Sequence, residues 1–194
     1  MERDREATER KLLDTIGQMI AENGFENIGV NAVSARSGVS KILIYRYFGS
    51  VDGLVSSFIQ KKDFWLSSSF DFQGADLPAT VKKVFNEHIE KLRTDPVLRK
   101  LYRWELSSNN ELITAMRAER EKVGMDLIMQ VCELTGRPQQ EVAALAAIIT
   151  SSVAYLAMLA DTCSVYNGIY VDSDEGWNQI SREIQNLVDK LFES

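Results

Sequence analysis

Apolar positions recur along this chain at helical spacing almost from end to end. Leu12, Leu13, Ile16, Met19 and Ile20 fall on one face of a first helix, which Asn23-Gly24 should stop, with Phe25 tucking back onto it. A short segment follows from Val30 to Ser37, with Ala32, Val33 and Ala35 as its small apolar face, and Gly38-Val39-Ser40 breaks it. Ser40 suits the N-cap of a second short helix, Lys41 to Phe48, and Ser50 can cap a longer one from about Val51 to Phe70.

Beyond a break at Gly74-Ala75-Asp76, the stripe Leu77, Val81, Val84, Phe85, His88, Ile89 and Leu92 predicts another helix. Asp95-Pro96 opens one that carries Val97, Leu98, Leu101 and Trp104. A long helix runs from about Glu111 to Leu134 and ends at Thr135-Gly136. Pro138 is placed as a first-turn proline of the next, which extends to about Ala160. Cys163 to Ser173 reads as a loop. The last helix carries Trp177, Ile180, Ile184, Leu187, Val188 and Leu191. The pattern predicts an all-α chain of about nine helices, with no strand.

The stretch Val142–Ala160 is apolar at 16 of 19 positions, long enough for a membrane span. Thr150-Ser151-Ser152 sits at its centre, and no Lys/Arg cluster flanks it. Seven alanines would let helices approach closely. We therefore read it as an interface helix of a soluble protein rather than a membrane segment.

Composition adds limits. The 194 residues are enough for a self-sufficient core. Cys132 and Cys163 are too few for a disulfide framework or a four-cysteine zinc site, and the charged start lacks a signal-peptide core. A cytoplasmic protein with reduced thiols is expected. The net charge of −6 is unlike a nucleic-acid binder as a whole, but it is unevenly spread. Residues 1–62 hold nine Lys/Arg against eight Asp/Glu, and no acid stands between Asn27 and Val51. A locally positive face on an acidic protein can still meet phosphate.

Val30–Phe48 thus has the form short helix, Gly-x-Ser turn, short helix, the pattern of a helix-turn-helix. Its second helix would stand proud enough to enter a major groove about 12 Å wide. Gly24-Phe25, Gly38-Val39-Ser40-Lys41, Tyr45-Arg46-Tyr47-Phe48, Ser50 and Leu54 stand at matching spacing. Over about residues 6–66 the chain resembles the TetR family of transcriptional repressors.

That resemblance implies a homodimer that binds a palindromic double-stranded DNA operator and a small organic effector. Residues 1–50 would form the DNA-binding domain, with the helix-turn-helix at about 29–48. Residues 51–194 would form a helical effector-binding and dimerisation domain. Carried over by position, Asn31, Ser40, Lys41, Ile42, Tyr45, Arg46 and Tyr47 would face DNA, while Ile44 and Phe48 would anchor the helix. Ser40, Lys41 and Arg46 suit phosphate, Arg46 also guanine, and Ile42 a thymine methyl. Gly29, Ile42, Leu43 and Val51 depart from the family pattern, which bears on operator sequence and affinity. Family frequency favours a repressor.

The Ala-rich helix, through Ala147 and Tyr155, and the last helix, through Trp177, Ile180, Ile184 and Leu187, are expected to form a two-fold four-helix interface. Phe64, Trp65, Phe85, Tyr102 and Trp104, with the lone His88, are the candidate walls of an effector pocket. Core packing is the competing role for each. With no phosphate loop and no metal-ligand spacing, no cofactor or metal is expected, and the effector should be a hydrophobic or amphipathic organic molecule. A helical adaptor lacking DNA binding, or a small-molecule-binding helical enzyme, are the alternatives; salt-sensitive binding to a palindromic duplex separates the regulator from both.

Overall fold

A computed structural model of the chain describes residues 2–25, 28–68, 70 and 76–193, with the side chains of residues 2 and 3 left aside. Among the described residues the helices are α1 (Glu2–Asn23), α2 (Val30–Ser37), α3 (Lys41–Phe48), α4 (Val51–Lys62), α5 (Phe64–Ser67), α6 (Leu77–Thr94), α7 (Pro96–Ser107), α8 (Glu111–Thr135), α9 (Gln139–Leu159) and α10 (Asp174–Phe192). Two short strands, β1 (Val165–Tyr166) and β2 (Ile169–Tyr170), pair antiparallel. The all-α architecture is as expected.

Three local expectations change. The helix expected from Val51 to Phe70 breaks at Asp63, whose buried carboxylate Oδ1 accepts from the N–H groups of Trp65 (3.0 Å) and Leu66 (3.2 Å). That carboxylate caps a new turn, so Asp63 ends α4 and starts α5. Pro138 occupies the N-cap of α9 rather than its first turn. The loop expected over Cys163–Ser173 contains the hairpin. Asn167 and Gly168 both have positive φ (51° and 80°), the two-residue turn that matches strand twist. The break expected at Gly74-Ala75 lies outside the described residues, but Asp76 caps α6 by accepting from the Ala79 N–H at 3.2 Å.

The chain forms two compact units, Met1–Ser67 with Pro96–Glu119, and Ser68–Asp95 with Arg120–Ser194. In the first, α1 packs against α2, α4 and α7, and α3 packs against α2 and α4. Leu12, Ile16 and Ile20 of α1, Val33 of α2, Ile44 of α3 and Leu54 of α4 are fully buried. Burying each of these larger side chains stabilises by roughly 1.5–3 kcal/mol before entropy is subtracted. At the end of α1, the Lys100 ammonium of α7 donates to the Ala21 carbonyl, placing a cation at the negative helix end. Phe25, expected to tuck back onto α1, is buried with its ring stacked on Trp104 of α7, centroids 4.6 Å apart.

In the second unit α6 packs against α9 and α10. Val81, Phe85, Ile89 and Leu92 of α6 meet a core that includes Ile149 and Val153 of α9 and Ile184 and Val188 of α10. Ser181 donates to Asn86 Oδ1 at 2.6 Å, and ion pairs join Lys82 to Asp189 and Arg93 to Asp174. The hairpin is tied down by Val171, which is buried and whose carbonyl accepts from the Trp177 indole at 2.7 Å. A hairpin this short needs such support.

Candidate nucleic-acid interface

The turn between α2 and α3 is built from its own side chains. Gly38 stands at φ +67°, the left-handed conformation a helix C-terminus needs for a sharp stop. Its N–H bonds the Ser34 carbonyl at 3.0 Å. Ser34 Oγ donates to the Val39 carbonyl (2.8 Å), and Ser37 Oγ accepts from the Val39 N–H (3.1 Å). Val39 itself is buried. Both serines therefore lock the corner rather than face solvent.

Lys41, Ile42, Tyr45 and Arg46 then share the outer face of α3, all exposed, while Ile44 on the opposite face is fully buried. Ile42 is 72% and Tyr45 51% exposed, so an apolar side chain and a phenol stand in water in this structure. Eight helical residues span about 12 Å, the width of a major groove. Ser40 occupies the N-cap of α3, but its hydroxyl makes no capping bond. Asn31 is exposed in the first turn of α2, where Gly29 provides no side-chain cap. Tyr47, Leu43 and Phe48 are half-buried.

Of the three cations in the acid-free stretch, Arg36, Lys41 and Arg46, the first is neutralised internally. Arg36 makes two hydrogen bonds to the Glu22 carboxylate, both 2.5 Å, joining α2 to α1. Those bonds hold the Glu22 carboxyl below its usual range. Lys41 and Arg46 therefore carry the positive charge of α3. Sequence spacing gave no sign that Arg5, on the first turns of α1, lies over the Tyr47 ring.

The six expected pocket residues are distributed over both units. Phe64, Trp65, Tyr102 and Trp104 belong to the first, Phe85 and His88 to the second. Phe64 and Trp65 meet edge to face at 5.0 Å, and Trp104 is stacked on Phe25. His88 is fully buried; burial, and secondarily the charge of Arg120, push its pKa down to about 3. None of the six lines the open cleft of about 770 Å³ in the first unit, whose walls come from α1, α4 and α7 and include Leu13, Phe58, Lys61 and Val97.

On α9, Ala144, Ala147, Ile148, Ser151, Ser152 and Tyr155 form an exposed, uncharged face. Ile148 is 63% and Tyr155 51% exposed. The helix is long and apolar enough to cross a membrane by length and composition, and only 28% of its most apolar stretch is buried within the chain. Of the expected α10 contacts, Leu187 is exposed and Ile180 half-buried, whereas Trp177 and Ile184 point into their own unit. No cluster of three or more His, Cys, Asp or Glu side chains that could hold a metal occurs among the described residues.

The first unit is thus a helix-turn-helix domain with an acid-free recognition helix. Residues 12–58 match the family described as bacterial regulatory proteins, tetR family, and this N-terminal domain belongs to it. A helix-turn-helix-type transcriptional repressor of Streptomyces coelicolor is 25% identical over 120 residues, 62% of this chain and 60% of that protein. The match thus spans less than two thirds of that relative's length. The fold is shared with a TetR family transcription regulator from Marinobacter aquaeolei VT8 (TM-score 0.65, 16% identity, 96% of this chain and 97% of that one). It is also shared with the fatty acid degradation regulator FadR from Bacillus halodurans (TM-score 0.66, 18% identity, 92% and 96%).

Proposed function

We propose that this protein is a dimeric, ligand-responsive transcriptional regulator, in the sense of a repressor, that binds a palindromic operator in the cytoplasm. The observation that carries the reading is the outer face of α3. Lys41, Ile42, Tyr45 and Arg46 stand exposed together on a helix anchored by buried Ile44, inside a TetR-type domain. Cations there serve phosphates and guanine, and Ile42 serves a thymine methyl. The name of the Streptomyces coelicolor relative supports repression over activation.

Residues 1–50 act as the DNA-binding head and 51–194 as the effector and dimer body. The uncharged face of α9, with Ala147 and Tyr155, and Ile180 and Leu187 of α10 supply the two-fold contact. Trp177 and Ile184 support that contact from the core rather than touching the second copy. A hydrophobic or amphipathic effector that prefers the DNA-incompetent spacing of two heads weakens operator affinity by reciprocity. The proposed effector contacts are Phe64, Trp65, Tyr102 and Trp104 of the first unit; Phe85 and His88 belong to the other.

Selection from random duplex DNA tests the function. The protein should enrich a palindrome with half-sites one helical turn or a multiple of it apart. Recovery of no preferred sequence would remove the regulator reading and favour an adaptor.

A further inference from the structure

Arg5 and Tyr47 are 42 positions apart, yet the Arg5 guanidinium carbon lies 5.3 Å from the centroid of the Tyr47 ring. Its Nε donates to Glu9 Oε1 at 2.7 Å, one helical turn along α1. The Arg5 side chain is more than half exposed and that of Glu9 mostly covered. Arg5 therefore sits between the ring of Tyr47, a position that the family resemblance assigns to DNA, and a carboxylate on α1.

A guanidinium fits this place in a way an ammonium does not. It is planar, stacks on an aromatic face and offers several N–H donors in a fixed fork suited to carboxylates and phosphates alike. Glu9 is then the protein's own acceptor for the fork. A phosphate diester presents the same chemistry, an anionic oxygen in reach of N–H donors.

We propose that Arg5 is a DNA-contacting and positioning residue of the recognition face, holding the Tyr47 ring and exchanging Glu9 for a backbone phosphate when α3 enters the groove. This rests on the DNA-binding reading above. It adds α1 to the interface, and it makes Glu9 an internal competitor of DNA. Removing the competitor strengthens binding; removing the guanidinium removes both a phosphate contact and the support of Tyr47.

The test uses the full chain and the duplex that the wild-type protein itself selects from random DNA, titrated from low to moderate salt. Arg5→Ala should weaken binding roughly tenfold and reduce the slope of log affinity against log salt by about one. Glu9→Gln should tighten binding, roughly threefold at low salt, with the loss of a like-charged competitor. Arg5→Lys should restore the slope but only part of the affinity, because the charge returns without the planar stack. Melting curves establish that each variant is folded; both positions are outside the buried core. Lys41→Ala separates the two readings. If it weakens binding while Arg5→Ala leaves affinity and slope unchanged, the Arg5 assignment is overturned and DNA binding stands. If Arg5→Ala weakens binding without changing the slope, Arg5 is structural only and the phosphate exchange is overturned. If wild type selects no duplex, both fall together.

Discussion

The carbonyl oxygen of Phe48, the last residue of α3, stands 2.0 Å from where a Cβ on Gly53 would lie. No side chain fits there, so position 53 fixes how closely the recognition helix meets α4. Ser50 completes the corner, its Oγ accepting from the Gly53 N–H at 2.9 Å. Gly53→Ala must move backbone rather than a flexible side-chain tip. It should cost about 1–3 kcal/mol, the usual range for overpacking, and lower the melting temperature. Ser50→Ala should cost about 1 kcal/mol through the lost cap. Chemical denaturation of the two variants checks both values.

The corner was partly legible beforehand. The glycines that stop α2 and α3 and the serine that caps α4 are local signals, and so is the period that buries Ile16, Ile44 and Leu54. What could not be read was any relation across distant parts of the chain. The pairing of Arg5 with Tyr47, of Glu22 with Arg36 and of Phe25 with Trp104 depends on how helices cross, which spacing within one helix does not encode. Asp63 was missed for another reason: a helix-compatible residue became a cap once its carboxylate was buried beside two N–H groups. The Asn167-Gly168 hairpin was legible in principle, since that dipeptide stood between two apolar pairs, but Val165-Tyr166 and Ile169-Tyr170 are too short to show alternation. Aromatic residues gave the least guidance, because core and cavity walls have the same composition.

His88 should make stability depend on pH. Its folded-state pKa, about 3, lies below the ordinary value of 6.5, so the unfolded chain binds the extra proton between those limits. Stability from this group is complete above about pH 6.5 and is lost as pH falls toward 3. Between pH 7 and pH 5 the loss should be about 2 kcal/mol. His88→Gln removes the titration and should flatten that part of the profile. Urea denaturation at pH 7, 6 and 5 compares the slopes; equal slopes for both proteins would mean that His88 is accessible to protons in the folded state.

The α9 face and the α10 core should respond differently to charge. Ala147→Arg and Ile148→Asp alter the exposed uncharged face, so they should dissociate the dimer and leave the helical content of the chain intact. Ile184→Asp places a carboxylate inside the unit and should unfold it, at a cost of about 3 kcal/mol or more. Sedimentation with circular dichroism distinguishes the outcomes. A wild-type mass for both face variants would remove α9 from the interface. Recruitment of the wild-type protein to lipid vesicles would point instead to a membrane partner for this helix.

An effector that binds the DNA-incompetent form should raise the melting temperature of the DNA-free protein and release the selected duplex over the same concentration range. A screen of hydrophobic and amphipathic compounds by thermal shift, followed by DNA release, examines this. Trp104→Ala should reduce the shift. Compounds that raise the melting temperature without releasing DNA would place their site outside the switching mechanism.

The most direct measurement concerns Lys41 at the start of α3. Affinity of wild type and Lys41→Ala for the selected palindrome is followed as salt is raised. If α3 lies in the groove with Lys41 on a phosphate, the variant binds more weakly at low salt and its slope is shallower by about one. Tyr45→Ala should weaken binding with little change of slope, because the phenol carries no charge. Identical affinity and slope for Lys41→Ala and wild type would contradict DNA binding through this face.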